Sequence, residues 1–141
     1  MKNVIKNIER LSIVFETDEI PSFHDAEIVS ILLTRENNVS LEAVLRIYRL
    51  VEEFKVGEKK ITRSKNAYGK FQFYEVKLES LKNFYHQNVI DDLNISREEG
   101  SDFFTVHFQS IIGCDLKFSC KEMALTEVRV SESQKESTKR V

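Results

Sequence analysis

The chain has little that breaks regular structure and few of the patterns that carry out chemistry. One proline, Pro21, and four glycines stand among 141 residues. That scarcity excludes Pro- or Gly-rich linkers and a glycine-rich loop of the kind that cradles phosphate. Tryptophan is absent, and the two cysteines, Cys114 and Cys120, have no CxxC spacing, which removes the usual redox and zinc-ligand patterns. No GxSxG elbow and no HExxH helix occur. No apolar run reaches transmembrane length, and Met1-Lys2-Asn3-Val4-Ile5-Lys6 lacks the core of a signal peptide, so the expectation is a cytoplasmic protein without membrane contact. A formal net charge of −2 gives no electrostatic reason to expect nucleic acid as a partner. No cofactor is expected either.

What is present suits one hydrophobic core. The length is enough to close a single core but not two with a cleft between them. Ten Phe and four Tyr supply large apolar areas. We expect a single domain over residues 1–130. The almost wholly polar stretch 131–141 should be a flexible tail. Cys114 and Cys120 read as parts of one continuous strand, about 20 Å apart, and therefore as buried free thiols.

Val4, Ile8, Leu11 and Phe15 recur at helical spacing with Lys2, Lys6, Asn7, Glu9 and Arg10 on the other side, which predicts an amphipathic helix over residues 2–15. Pro21 holds Ile20 extended and ends that pattern. From Ala26 the texture is that of strands. Ile28 to Leu33 is rich in β-branched residues, Glu36-Asn37-Asn38 signals a turn, and Leu41, Ala43, Leu45 and Ile47 alternate with polar neighbours. Residues 52–70, lysine-rich with Gly57 and Gly69, read as a mobile hairpin or long loop. Further strands are expected at 71–78, 89–95, 103–108, 116–120 and 125–130. The fold class that follows is α+β: mainly an antiparallel sheet or compact sandwich of six to seven strands, with one N-terminal amphipathic helix.

Two polar clusters attract attention. Phe23-His24-Asp25-Ala26-Glu27 gathers an imidazole and two carboxylates, but strand alternation would send Asp25 and Glu27 to one side and His24 to the other. A metal needs ligands that converge at about 2 Å. A structural turn is the favoured reading, with Asp25 or His24 bonded to nearby backbone. Tyr85-His86-Gln87-Asn88 could approach it, in which case His24, Asp25, Glu27 and His86 would suit a metal-dependent or hydrolytic enzyme. Satisfaction of buried loop backbone is the simpler account. His107 stands alone and receives no role. Acidic residues crowd two segments, with Asp18 and Glu19 in one and Glu98 and Glu99 in the other. They are either solvated loops or an acidic patch that attracts a basic protein partner.

Phe23-His24-Asp25-Ala26-Glu27, Phe84-Tyr85-His86-Gln87-Asn88-Val89-Ile90 and Gly113-Cys114-Asp115 before a strand ending at Cys120 together resemble a family of small bacterial proteins. The pattern spans residues 20–130 and is similar to immunity proteins of polymorphic toxin systems, the immunity protein 50 group among them. The resemblance implies a small α+β domain that binds and neutralises a toxin. It carries over no catalytic residues and leaves Phe23, His24, Asp25, Glu27, His86, Gln87, Asn88 and Asp115 as motif positions with structural roles. The chain departs from the pattern at Tyr85, where Asn is expected, and in its long lysine-rich stretch. The competing expectations are the enzyme described above and a domain that self-assembles through an exposed strand edge. Monomer and homodimer both remain open from sequence.

Overall fold

The computed structural model describes residues 2–138. Eight strands follow a short N-terminal helical segment: β1 (Glu27–Arg35), β2 (Val39–Val56), β3 (Lys59–Tyr74), β4 (Lys77–Lys82), β5 (Val89–Arg97), β6 (Phe104–Ile112), β7 (Asp115–Cys120) and β8 (Glu122–Thr138). All the strand pairs are antiparallel, in the order β4-β7-β6-β5-β1-β2-β3-β8.

That order conceals a closure. The β3–β8 ladder ends at Tyr74 opposite Glu122, and the β4–β7 ladder resumes with Lys77 opposite Ser119, in the same register. Lys121 N–H donates to Tyr74 O across the bend, where Glu75 takes φ +53°. β3 with β4, and β7 with β8, are thus two bent strands lying side by side. Since β7 also pairs with β6, β6 with β5, and β5 with β1, the sheet closes into a barrel. The seam is narrow: Glu27 opposite Val89, plus backbone bonds Asp25 N to Ile90 O, Ile90 N to Ala26 O and Ile28 N to Asn88 O.

Inward-facing residues from every strand but β4 fill the interior in one cluster. Leu41, Ala43, Leu45 and Ile47 are all fully buried, as their alternation predicted. Phe73 meets Phe118 edge-on at 4.8 Å and Phe108 at 6.0 Å, joining the two halves of the ring. Such pairs contribute about 0.5–1.5 kcal/mol beyond their buried area.

Two expectations are corrected, and one choice left open by the sequence is decided. The N-terminal helix over residues 2–15 is not one helix: a 3₁₀ turn (Lys2–Val4) and an α-helix, α1 (Glu9–Val14), are separated by a bridge between Lys6 and Ala124. Lys6 N–H donates to Met123 O and Leu125 N–H to Lys6 O, so Lys6 serves as a short extra strand beside β8. Asn7, at φ +66°, then turns the chain, a conformation Asn tolerates. Ile8, Leu11 and Phe15 are buried as that spacing implied, whereas Val4 is only half-buried and Ile5 is buried in its stead. The strands number eight, not six or seven, because the expected strand 71–78 divides at Glu75. Of the two readings of 52–70 the hairpin holds and the long loop does not: strands pair on either side of Gly57-Glu58, with Val56 opposite Lys59 and Gly57 at φ +63°.

Beyond the barrel, β2, β3 and β8 run on as a three-stranded arm. Apart from Ser64, no residue of 48–56, 59–66 or 131–137 is buried. β8 pairs with β3 as far as Thr138, within the stretch expected to be a flexible tail. Residues 139–141 of that tail lie outside the described residues.

Candidate functional site

Phe23 is fully buried, edge-on to Phe71 at 5.8 Å, and anchors the turn that leads into β1. Ala26 N–H closes that turn on Phe23 O, and Asp25 sits at φ +66°. Because residues 24–26 form a turn, the alternation expected of a strand does not apply there. His24 and Asp25 both reach β5, and Glu27 points away to Arg46, 3.7 Å distant. His24 Nδ1 lies 2.9 Å from Asp91 O. A carbonyl only accepts, so Nδ1 carries the proton. Asp91 Oδ1 at 3.2 Å and Asp25 Oδ1 at 3.5 Å flank the ring. The bond to Asp91 O and the charge of Asp25 raise the imidazole pKa from its usual 6.5.

Asn88, buried at 3% exposure, ties three segments together. Its Oδ1 accepts from Tyr85 N–H (2.8 Å) and Cys114 N–H (3.0 Å), and its Nδ2 donates to Tyr85 O (2.8 Å) and Ile28 O (3.5 Å). Gly113 makes this possible: at φ +79°, a Cβ there would stand 2.3 Å from Gln87 O and 2.6 Å from Asn88 Oδ1. Asp115 accepts from His107 Nε2 (2.9 Å) and Ser110 N–H (3.2 Å). Partial burial pushes its pKa up, but the two hydrogen bonds outweigh that and hold it below the usual value. Cys114 and Cys120 are free and buried, and burial pushes their thiols up to about 11 and about 12. Neither is activated for nucleophilic attack.

The candidate site residues therefore separate. His24 and Asp25 face Asp91. Glu27 and His86 line a different place, an open depression of about 360 Å³ shared with Val29, Arg46, Tyr68, Phe84, Tyr85 and Asn88. Among the described residues no three His, Cys, Asp or Glu side chains come together as metal ligands. Asp18 and Glu19 lie in the loop after α1, and Glu98 and Glu99 between β5 and β6. Ser119 and Thr105 hydroxyls hold the Glu98 carboxylate at 2.6 and 3.1 Å and keep its pKa low.

The outer face of the barrel is what sequence reasoning passed over. Arg46 is opposite Tyr68, which is opposite Arg129, and Tyr48 is the next outward residue of β2. The Arg129 guanidinium lies 5.7 Å from the Tyr68 ring, and Arg46 Nε donates to Asn66 Oδ1 at 3.3 Å. Tyr48, Phe84, Tyr85 and Val29 are exposed beside them. Exposed Tyr and Arg side by side are the composition of protein-binding hot spots, and an alternating strand with Arg46 and Tyr48 on its polar side was the available signal.

No helix among the described residues is long and apolar enough to cross a membrane. No curated protein and no solved structure matches the chain. Residues 7–131 match the family model of Immunity protein 50, and the chain belongs to that family.

Proposed function

We propose that this immunity-family protein acts by binding a toxin directly and blocking it, without catalysis of its own, in the cytoplasm of the cell that makes it. The observation that carries the reading is the division of labour between two sets of residues. His24, Asp25, Asn88 and Asp115 bond the turn before β1, the seam with β5 and the approach to β7. On the outer face Tyr48 and Phe84 make no side-chain hydrogen bond or ion pair among the described residues, and Arg46 and Arg129 spend only part of their donor capacity, on surface contacts with Asn66, Glu27 and Tyr68. Tyr48, Tyr68, Tyr85, Arg46 and Arg129 then form the contact surface, with the Glu27–Arg46–His86 depression at its edge. Aromatic rings give large contact area for few rotatable bonds, and guanidinium groups give directed hydrogen bonds.

The acidic loops are the competing contact. Asp18, Glu19 and Glu99 make no side-chain ion pair among the described residues. A basic toxin surface would be drawn to them, mainly through the rate of encounter. Co-purification with the toxin encoded beside the gene tests the reading as a whole. Tyr48→Ala, Tyr85→Ala and Arg46→Ala separate the surfaces, each expected to weaken the complex by about 1–4 kcal/mol if its side chain is a hot spot. Asp18→Lys with Glu99→Lys is expected to change association rate and salt dependence more than residence time. Unchanged toxin affinity in all three face variants would move the interface to the loops, and failure to bind any neighbouring toxin would remove the function.

A further inference from the structure

We propose that two copies of this chain join edge to edge through β8, extending the arm into a continuous six-stranded sheet. The first ground is the arm itself. Three strands without a buried face are held mainly by ladder hydrogen bonds and surface ion pairs, and a sheet of that size ordinarily needs an apolar face packed on something. Residues 48–56, 59–66 and 131–137 offer no such face, Ser64 apart, yet they stay paired over that length with a single shift, between Leu50 and Glu52. A second sheet beside them would supply backbone partners along the open side.

The second ground is where the edge is open. At its start β8 is covered, since Met123 O and Leu125 N–H are taken by Lys6. From Thr126 onward the side away from β3 has no strand partner among the described residues. A shift between Lys70 and Phe71 places one bulge at the start of this open stretch, and no proline interrupts it. Edges that must stay single are commonly protected by such devices along their length.

Charge selects the partner and the register. A two-fold axis through a pair of antiparallel β8 strands keeps every residue opposite one on the same face. The alignment with Ser131 on the axis sets Glu127 of one copy opposite Lys135 of the other, twice, with Arg129 opposite Ser133, Val130 opposite Glu132 and Val128 opposite Gln134. No like charges face each other. Lys135 makes no ion pair within its own chain among the described residues, while Glu127 reaches only Lys70, at 3.1 Å. Sliding one strand by two residues toward the C-terminus sets Arg129 against Lys135 and Glu132 against its own copy, which is repulsive. The opposite slide, with Val130 on the axis, sets Glu127 against Ser133 and loses both Glu127–Lys135 pairs. The sequence of β8 thus complements itself in this alignment, and the occupant it fits is a second copy of this chain.

Cysteine scanning of the full chain tests this directly, because native Cys114 and Cys120 are buried and add no background. Ser131→Cys is expected to give a disulfide-linked dimer on mild oxidation, since the two thiols meet across the axis. Ser133→Cys, opposite Arg129, is expected not to. Sedimentation of the wild type should show a reversible dimer. Lys135→Glu should weaken it about tenfold, and Glu127→Lys with Lys135→Glu should restore it. A monomer at every concentration, or equal cross-linking at Ser131→Cys and Ser133→Cys, overturns the proposal. So does protection of β8 amides from exchange that appears only when toxin is added, which would make the toxin's own strand the occupant.

Discussion

The barrel and the arm share three strands, yet different forces hold them. Within the barrel, β2 and β3 send Leu41, Leu45, Ile47, Phe71 and Phe73 into a closed interior where none is measurably exposed. Past Ile47 and Ala67 the same strands carry on with ladder hydrogen bonds and cross-strand ion pairs such as Lys59 with Glu136 (3.3 Å) and Lys60 with Glu53 (2.8 Å). Hydrophobic burial of a large side chain contributes about 1.5–3 kcal/mol, whereas an exposed ion pair contributes about 0–1 kcal/mol. The difference teaches that strand propensity and pairing can extend a sheet beyond its core, but the extension is the part left open to a partner. One device links the two regions. Arg63, in the arm, bonds Glu16 from the loop after α1 and lies 3.1 Å from Glu132 and 3.6 Å from Glu52. Its Nε has no hydrogen bond of good geometry. Lys65 adds a bond to Val14 O and a contact to Glu16 at 3.3 Å.

The sharpest break in this comparison is Phe73→Ala, which removes the ring joining both halves of the barrel. It should cost about 3–5 kcal/mol, read as a lowered denaturant midpoint with the whole molecule unfolding together. A change confined to the arm would contradict a core shared by the entire ring. Asn88→Ala should follow at about 1–3 kcal/mol, because the buried Cys114 N–H loses its partner. If Asn88 served toxin contact instead, stability would hold and affinity would fall.

The turn at His24 gives a pH signature. Its pKa is higher in the fold than the unfolded value near 6.5, so the stability it contributes is fully present below that pH. That contribution is lost as pH rises through the raised folded value. His24→Gln should flatten this part of the stability profile in a pH series of denaturation curves. An unaltered slope would place the responsible proton elsewhere. The smallest effect belongs to the arm: Lys60→Ala should change global stability by less than about 1 kcal/mol. Its expected mark is faster amide exchange confined to residues 52–62.

Much of this was legible along the chain. The alternation at Leu41 to Ile47 marked a half-buried strand, and all four inward residues are buried. The directions of His24, Asp25 and Glu27 were not readable: a turn, and not strand alternation, sets them, so His24 and Asp25 share a side and Glu27 leaves it. The motif Tyr85-His86-Gln87-Asn88 was read as satisfying loop backbone, and Asn88 makes four such bonds. The break in the N-terminal helix was hidden, because Val4, Ile8, Leu11 and Phe15 fit a helix equally well when only the last three use that spacing. What interrupts it is a bond from Lys6 to β8, more than a hundred residues away in sequence.

The sequence by itself determined an antiparallel, core-forming chain, since period-two alternation and turn residues act locally and each strand carries its own inward face. Only the tertiary structure decided that the sheet closes, that Glu27 and His86 share a depression apart from His24, and that Arg46, Tyr68 and Arg129 line up in a row. Those depend on register between distant strands, and register is fixed by which inward faces meet in one interior, a condition no single segment contains.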